Sequence, residues 1–139
     1  MLAHIAQEIE AFGRPLAAPC ALICGGELVV AIGEERGIGG RNEEFVLSTA
    51  ARIAGSDRIV IASADSDGSD GPTDVAGGIV DGQTLKRAAE AGIDIAATLR
   101  HHDSHSALAA LGDTIHTGIQ RTNVRDLRVI YVGAPAGSP

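Results

Sequence analysis

The sequence predicts one α/β domain, a mixed β-sheet that contains a hairpin and is packed by helices. Three observations carry that reading. Apolar residues recur at helical spacing over residues 2–12 and again from about residue 42. Short aliphatic runs, RIVIASA at 58–64 and LRVIYV at 127–132, have the length and composition of strands. A glycine pair, Gly25-Gly26, lies between the apolar runs CALIC and ELVVAIG, as a hairpin turn would. A hairpin forbids a purely parallel sheet, and 139 residues make one domain of ordinary size.

The elements follow in order. Leu2, Ile5, Ala6, Ile9 and Phe12 line one side of a first helix, which Gly13 stops; Pro15 and Pro19 mark a connector. The hairpin ends in a glycine-rich loop, Gly33 to Gly40. A second helix begins at Asn42 or just after, with Phe45, Val46, Thr49, Ala50 and Ile53 on its apolar face and Gly55 closing it. The buried strand 58–64 leads into an acidic loop, DSDGSDGPTDVAGG, and a short apolar stretch at Ile79-Val80. Helices are expected near 83–91, 94–100 and 104–111, the last capped by Asp103 or Ser104. A short strand is expected over 115–118 and a turn at Asn123 and Asp126 before the closing strand. The domain is bounded at 3–132, with 133–139 as a loose tail.

Composition narrows the function classes. The only aromatics are Phe12, Phe45 and Tyr131, so Ala, Val, Ile and Leu must build a closely packed core. The formal net charge of −7 argues against nucleic acid as a general partner. It leaves room for a small anionic metabolite held by one arginine and backbone amides, and it is compatible with a homo-oligomer. No apolar run reaches the length of a membrane span, and Met1–Phe12 does not read as a signal peptide, so the cytoplasm is the expected compartment. Cys20 and Cys24 share one face of an extended segment and are read as buried core thiols, neither bridged nor zinc-bound.

Four constellations carry candidate chemistry. In GIGGRNEE, Gly37 to Glu44, glycines precede a helix start whose unpaired amides favour an anion, and Arg41 adds a guanidinium suited to carboxylate or phosphate. The alternative is a turn capped by Asn42 with Arg41 in an ion pair; by residue type the two stand level. Asp65, Asp67, Asp70 and Asp74 follow a buried strand, where ligands gather in α/β sheets, and so many carboxylates need a cation, an arginine or amides beside them. His101, His102, Asp103 and His105 cluster at a predicted helix start, and capping is favoured there over a metal site. Thr122 to Leu127, with Asn123 and Asp126, reads as an ordered loop.

GGELVV, GIGGRNEEF, SDGSDGPTDVAGGIVDG, HDSH and TNVRDL occur in the order found in the MOFRL domain, which this sequence resembles over roughly residues 3–132. That domain is the C-terminal part of class II glycerate 2-kinases, also named hydroxypyruvate reductases. The resemblance implies ATP- and Mg²⁺-dependent phosphorylation of D-glycerate, in a cleft against a larger N-terminal domain that supplies the essential lysine and most ATP contacts. It implies a catalytic role for Arg41 and substrate or phosphate contacts for Gly39, Gly40, Arg41, Asn42, Glu44 and Asn123. Asp67, Asp70 and Asp74 become the residues that would help place Mg²⁺. An oxidoreductase acting on hydroxypyruvate and a stand-alone anion-binding module are the alternatives; the sequence has no dinucleotide fingerprint for the first. The chain departs from the family pattern at Glu43 (commonly Gln), Asp65 (commonly Gly), His102 (Asn), His105 (aromatic), Ile119 (Pro) and Arg121 (Gly).

Overall fold

The computed structural model describes residues 1–34 and 37–135. The elements run α1 (Leu2–Phe12), β1 (Cys20–Gly26), α2 (Arg41–Ile53), β2 (Ile59–Asp65), β3 (Gly77–Asp81), α3 (Thr84–Glu90), α4 (Ile95–Arg100), α5 (Ser104–Leu111), β4 (Thr114–Ile115) and β5 (Asp126–Val132). The five strands form one sheet in the order β1-β5-β2-β3-β4. Every pairing in it is antiparallel.

The α/β class, the helices and the principal strands stand where the sequence puts them. The period-2 pattern of β2 and β5 explains the layers. Ile59, Ile61, Ile130 and Val132 point to one face and are buried, joined there by Val80 of β3. Onto that face pack α1, through Ala3, Ala6 and Ile9, and α2, through Val46, Leu47, Ala50 and Ile53. Side chains this small let helix and sheet approach closely, as the aromatic-poor composition requires. The shorter helices α3 to α5 extend the helical layer around α2.

Several sequence expectations are moved. The second arm of the hairpin at Gly25-Gly26 does not form, and residues 27–33 run without strand pairing. β1 instead pairs over seven residues with β5, from the far end of the chain. The first backbone donor beyond that pairing to find a buried acceptor, Leu28 N–H, goes to the Asp126 carboxylate (3.1 Å). The hairpin of the fold is β2–β3, and its connection is the acidic loop. Cys20 and Cys24 do share the inward face, but as half-buried free thiols at the rim of the core. The short strand falls at Thr114–Ile115, opposite Gly78 and Gly77, rather than at 115–118. Gly133, expected to be loose, is tied to Arg58 by two hydrogen bonds of 2.8 and 2.9 Å. The rest of the expected tail, 136–139, lies outside the described residues, as do residues 35–36 of the glycine-rich loop.

Ile61 sits in the central strand, fully buried, between Ile130 and Val80. Ile61→Ala is expected to lower the unfolding free energy by about 2–5 kcal/mol, read from the denaturant midpoint at unchanged m-value.

Candidate functional site

The site is built at one end of the sheet, where Gly26, Asp126 and Asp65 lie side by side on β1, β5 and β2. Asp126 and Arg128 occupy the inward positions of β5, on the same face as Ile130 and Val132. The start of α2 lies over them. A buried carboxylate must be paired, and Asp126 is paired several times. It accepts from Arg41 Nε (2.9 Å), Asn42 Nδ2 (3.1 Å), Arg128 Nη2 (2.9 Å) and the Leu28 amide. Burial alone would push its pKa up. The hydrogen bonds from Arg41, Asn42 and Leu28 outweigh that and hold it below the usual carboxylate range.

Arg41 therefore does not stand free. Its guanidinium is fixed between Asp126 and Asp65, and the hydrogen bond to Asp126 raises its own pKa further. Its Nη1 makes no hydrogen bond to a described residue, and a quarter of the side chain stays accessible. Arg41 lines a recess of about 500 Å³. Its lining combines the apolar Leu28, Val29, Val30 and Ile32 and the backbone of Gly39, Gly40 and Gly71 with the polar Glu27, Glu44 and His102.

The anion site expected at the start of α2 is already filled by the protein itself. Asp70 accepts from the amides of Asn42 (3.0 Å) and Glu43 (2.8 Å) and from Asn42 Nδ2 (3.1 Å). It caps the helix from another loop, since the N-cap position is Gly40, which has no side chain to do so. A Cβ on Gly40 would collide with the Asp70 carboxylate, and one on Gly39 with Ser104 Oγ. Close backbone approach thus requires both glycines, and both also line the recess. Asn42 is buried, held by Asp70, Asp126 and Ser63, and does not face the recess. A stand-alone anion module built on these amides is thereby disfavoured.

The three aspartates proposed for a cation are not brought together. Asp70 is buried as the cap, Asp74 is exposed, and Asp67 accepts from Ser69 N–H and Asn123 Nδ2 (3.0 Å each). Among the described residues no three His, Cys, Asp or Glu side chains converge as metal ligands would. Among the described residues the donor set does not fit Mg²⁺ by itself. Asn123 ties its loop to the acidic loop and is not among the residues lining the recess.

The histidines take roles the sequence did not reveal. His105 Nδ1 lies 2.9 Å from Glu43 Oε1, and His102 Nδ1 lies 2.9 Å from Glu44 Oε2, so α5 and the turn before it are fastened to the start of α2. Asp103 takes the N-cap position of α5, yet its carboxylate accepts from Ile38 N–H (2.9 Å) and Ser106 Oγ. Together with Gly37 N–H to His101 O and His105 N–H to Ile38 O, this straps the glycine loop down. Glu43 is wholly buried and its Oε2 has no partner among the described residues. Burial raises its pKa, and the His105 hydrogen bond opposes the rise. The missed residues Asp126 and Arg128 had a sequence signal: in DLRVIYV they fall in phase with Ile130 and Val132, so the period of two already points them inward.

The two kinds of carboxylate predict opposite pH effects. Asp126 has a lowered folded pKa, so its stabilisation is present above the ordinary Asp range and lost as pH falls through the folded value. Asp126→Asn is expected to cost about 3–5 kcal/mol at neutral pH, because it breaks a buried pair, and less in acid. Glu43 has a raised folded pKa, so its ionisation works against the fold as pH rises above the ordinary Glu range. Glu43→Gln should therefore gain stability relative to the parent from acid to neutral pH. Urea unfolding across that range checks both signs.

Residues 20–126 match the MOFRL family. The glycerate 2-kinase of Pyrococcus horikoshii is 42% identical over 136 residues, 98% of this chain and 31% of that protein. The D-glycerate 2-kinase of Thermotoga maritima is 47% identical over 126 residues, 91% of this chain and 30% of that protein. The crystal structure of glycerate kinase from Thermotoga maritima superposes with a TM-score of 0.92 at 45% identity, covering 94% of this chain and 31% of that one. The chain thus spans under a third of the length of these relatives. No described helix is long and apolar enough to cross a membrane. On the match over residues 20–126 and these likenesses, the chain belongs to the MOFRL family.

Proposed function

We propose that this chain is the C-terminal domain of a cytoplasmic glycerate 2-kinase and contributes one wall of the site that phosphorylates D-glycerate with ATP. The observation that carries this reading is Arg41 itself: a guanidinium held by two carboxylates and lining a recess that Glu44 and His102 also line. Phosphoryl transfer asks the protein for positioning and charge stabilisation. A fixed guanidinium offers both to a carboxylate or phosphoryl oxygen. Gly39 and Gly40 shape the wall beside it, Asn42 orients Asp126 and hence Arg41, and Asn123 with Asp67 orders the neighbouring loop. The likeness to glycerate kinases over nearly all of this chain but under a third of theirs supports a shared site completed by a further N-terminal domain. ATP and Mg²⁺ are assigned mainly to that domain, because Asp67, Asp70 and Asp74 do not converge.

A chimera tests this. With this chain in place of the corresponding part of the Pyrococcus enzyme, ATP-dependent phosphorylation of D-glycerate is expected. Arg41→Lys keeps a charge but cannot span both carboxylates, so kcat/KM should fall by about 10²–10³-fold at a temperature where the variant is still folded, its melting temperature being lowered by the lost carboxylate contact. A folded chimera without kinase activity, or an Arg41→Lys chimera of full activity, removes the proposal.

A further inference from the structure

His102 lines the recess beside Arg41, and the fold uses only one of its two ring nitrogens. It follows α4 with a left-handed backbone (φ 53°), a conformation costly for most side chains and better tolerated by His. Hydrogen bonds on both sides hold that turn: Asp103 N–H to Thr98 O (3.0 Å), Gly37 N–H to His101 O (2.6 Å) and His105 N–H to Ile38 O (2.9 Å). The ring therefore projects from a fixed backbone. Its Nδ1 lies 2.9 Å from Glu44 Oε2, and no described residue hydrogen-bonds its Nε2. As a carboxylate Glu44 only accepts, so Nδ1 donates to it and Nε2 keeps a lone pair.

The charges around the recess decide which part of a ligand can lie where. Among the described residues Arg41 is the only Arg or Lys lining it, whereas Glu27 and Glu44 are both carboxylates. Arg41 and Glu44 stand three residues apart in the first turn of α2, which puts their Cβ atoms roughly 5–6 Å apart on one side of the helix. An anionic group is attracted at Arg41 and repelled at Glu44. Whatever lies against the Glu44–His102 pair must be uncharged and able to hydrogen-bond, and a hydroxyl meets both conditions. We infer that His102 is a specificity-determining residue for a hydroxy acid: its Nε2 accepts from the substrate hydroxyl that is not phosphorylated, while Arg41 takes the anionic group. The assignment rests on the glycerate kinase reading above, under which that hydroxyl is the 3-hydroxyl of D-glycerate. Glu44 is then a positioning residue, which fixes the tautomer and the orientation of the ring and makes no contact with the substrate carboxylate. The contact is recognition alone; no proton or bond is transferred to His102.

The chimera carrying this chain tests the assignment, with D-lactate as the probe. D-lactate keeps the carboxylate and the 2-hydroxyl of D-glycerate and lacks the 3-hydroxyl. The quantities measured are KM for D-glycerate and the inhibition constant of D-lactate against it. His102→Ala removes the ring, and His102→Gln returns an amide to about the place of Nε2. Both pay the same left-handed backbone cost, so the difference between them reports the polar tip. His102→Ala is expected to raise KM for D-glycerate about 10–100-fold and to change the D-lactate constant less than about twofold. His102→Gln is expected to recover most of that loss. A folded His102→Ala chimera with the parent's KM, an equal weakening of both ligands, or a His102→Gln chimera no better than His102→Ala overturns the assignment and leaves the kinase reading in place. A folded parent chimera without kinase activity removes both.

Discussion

The carboxylate of Asp126 is the point on which this end of the molecule depends. Four segments with no local reason to meet are brought together by it. Leu28 leaves β1 through it, Arg41 and Asn42 start α2 over it, Arg128 shares its strand, and Asp65 joins through Arg41. Each partner removes part of the cost of burying the charge, and removing one leaves the others unbalanced. Arg128 is fixed from a second side, its guanidinium lying 5.4 Å over the Phe45 ring. Phe45 is itself half-buried at the edge of the core.

Charge counting explains why the recess is poorly suited to hold an anion by itself. Asp65, Asp70 and Asp126 lie beside Arg41 and Arg128, three negative groups against two positive, and the strongest anion-binding feature nearby, the start of α2, is taken by Asp70. An incoming carboxylate or phosphoryl group meets a guanidinium whose charge is already shared. The benefit is geometric: Arg41 loses little conformational freedom on binding, because two carboxylates hold it before a ligand arrives. Further positive charge must come from outside these residues, which agrees with a site completed by another domain.

Much of the fold was legible because period and punctuation agreed. The bounds of α1 and α5 match the apolar spacing and the glycines that follow, Gly13 and Gly112. What could not be read was long-range choice. The run ELVVAIG has the composition of a strand, and nothing local shows that β5 will take the place beside β1. The candidate site was legible in its residue types but not in their pairing. Arg41 and the acidic loop do meet, yet through Asp65 and, at the helix start, Asp70 as a cap. A carboxylate that ligates a cation and one that caps a helix from another loop look alike in sequence. Only the position of the α2 amides separates them.

The departures from the family pattern gain meaning from contact. Glu43 and His105 are 62 residues apart in the chain and 2.9 Å apart in space. A lone carboxylate at Glu43 would be buried without compensation, and a histidine at 105 supplies it, so two exchanges that each look damaging together form a matched pair. His102 likewise contacts the partly buried Glu44 at the recess (2.9 Å). Both pairs clamp the segment that carries Gly39 and Gly40 against α5, and that clamp fixes where α2 begins. Arg41 is the first residue of α2, so the placement of its guanidinium is inherited from two histidine–glutamate contacts as well as from its own carboxylates. The two histidine contacts therefore act on Arg41 indirectly, by fixing the turn of helix that presents it.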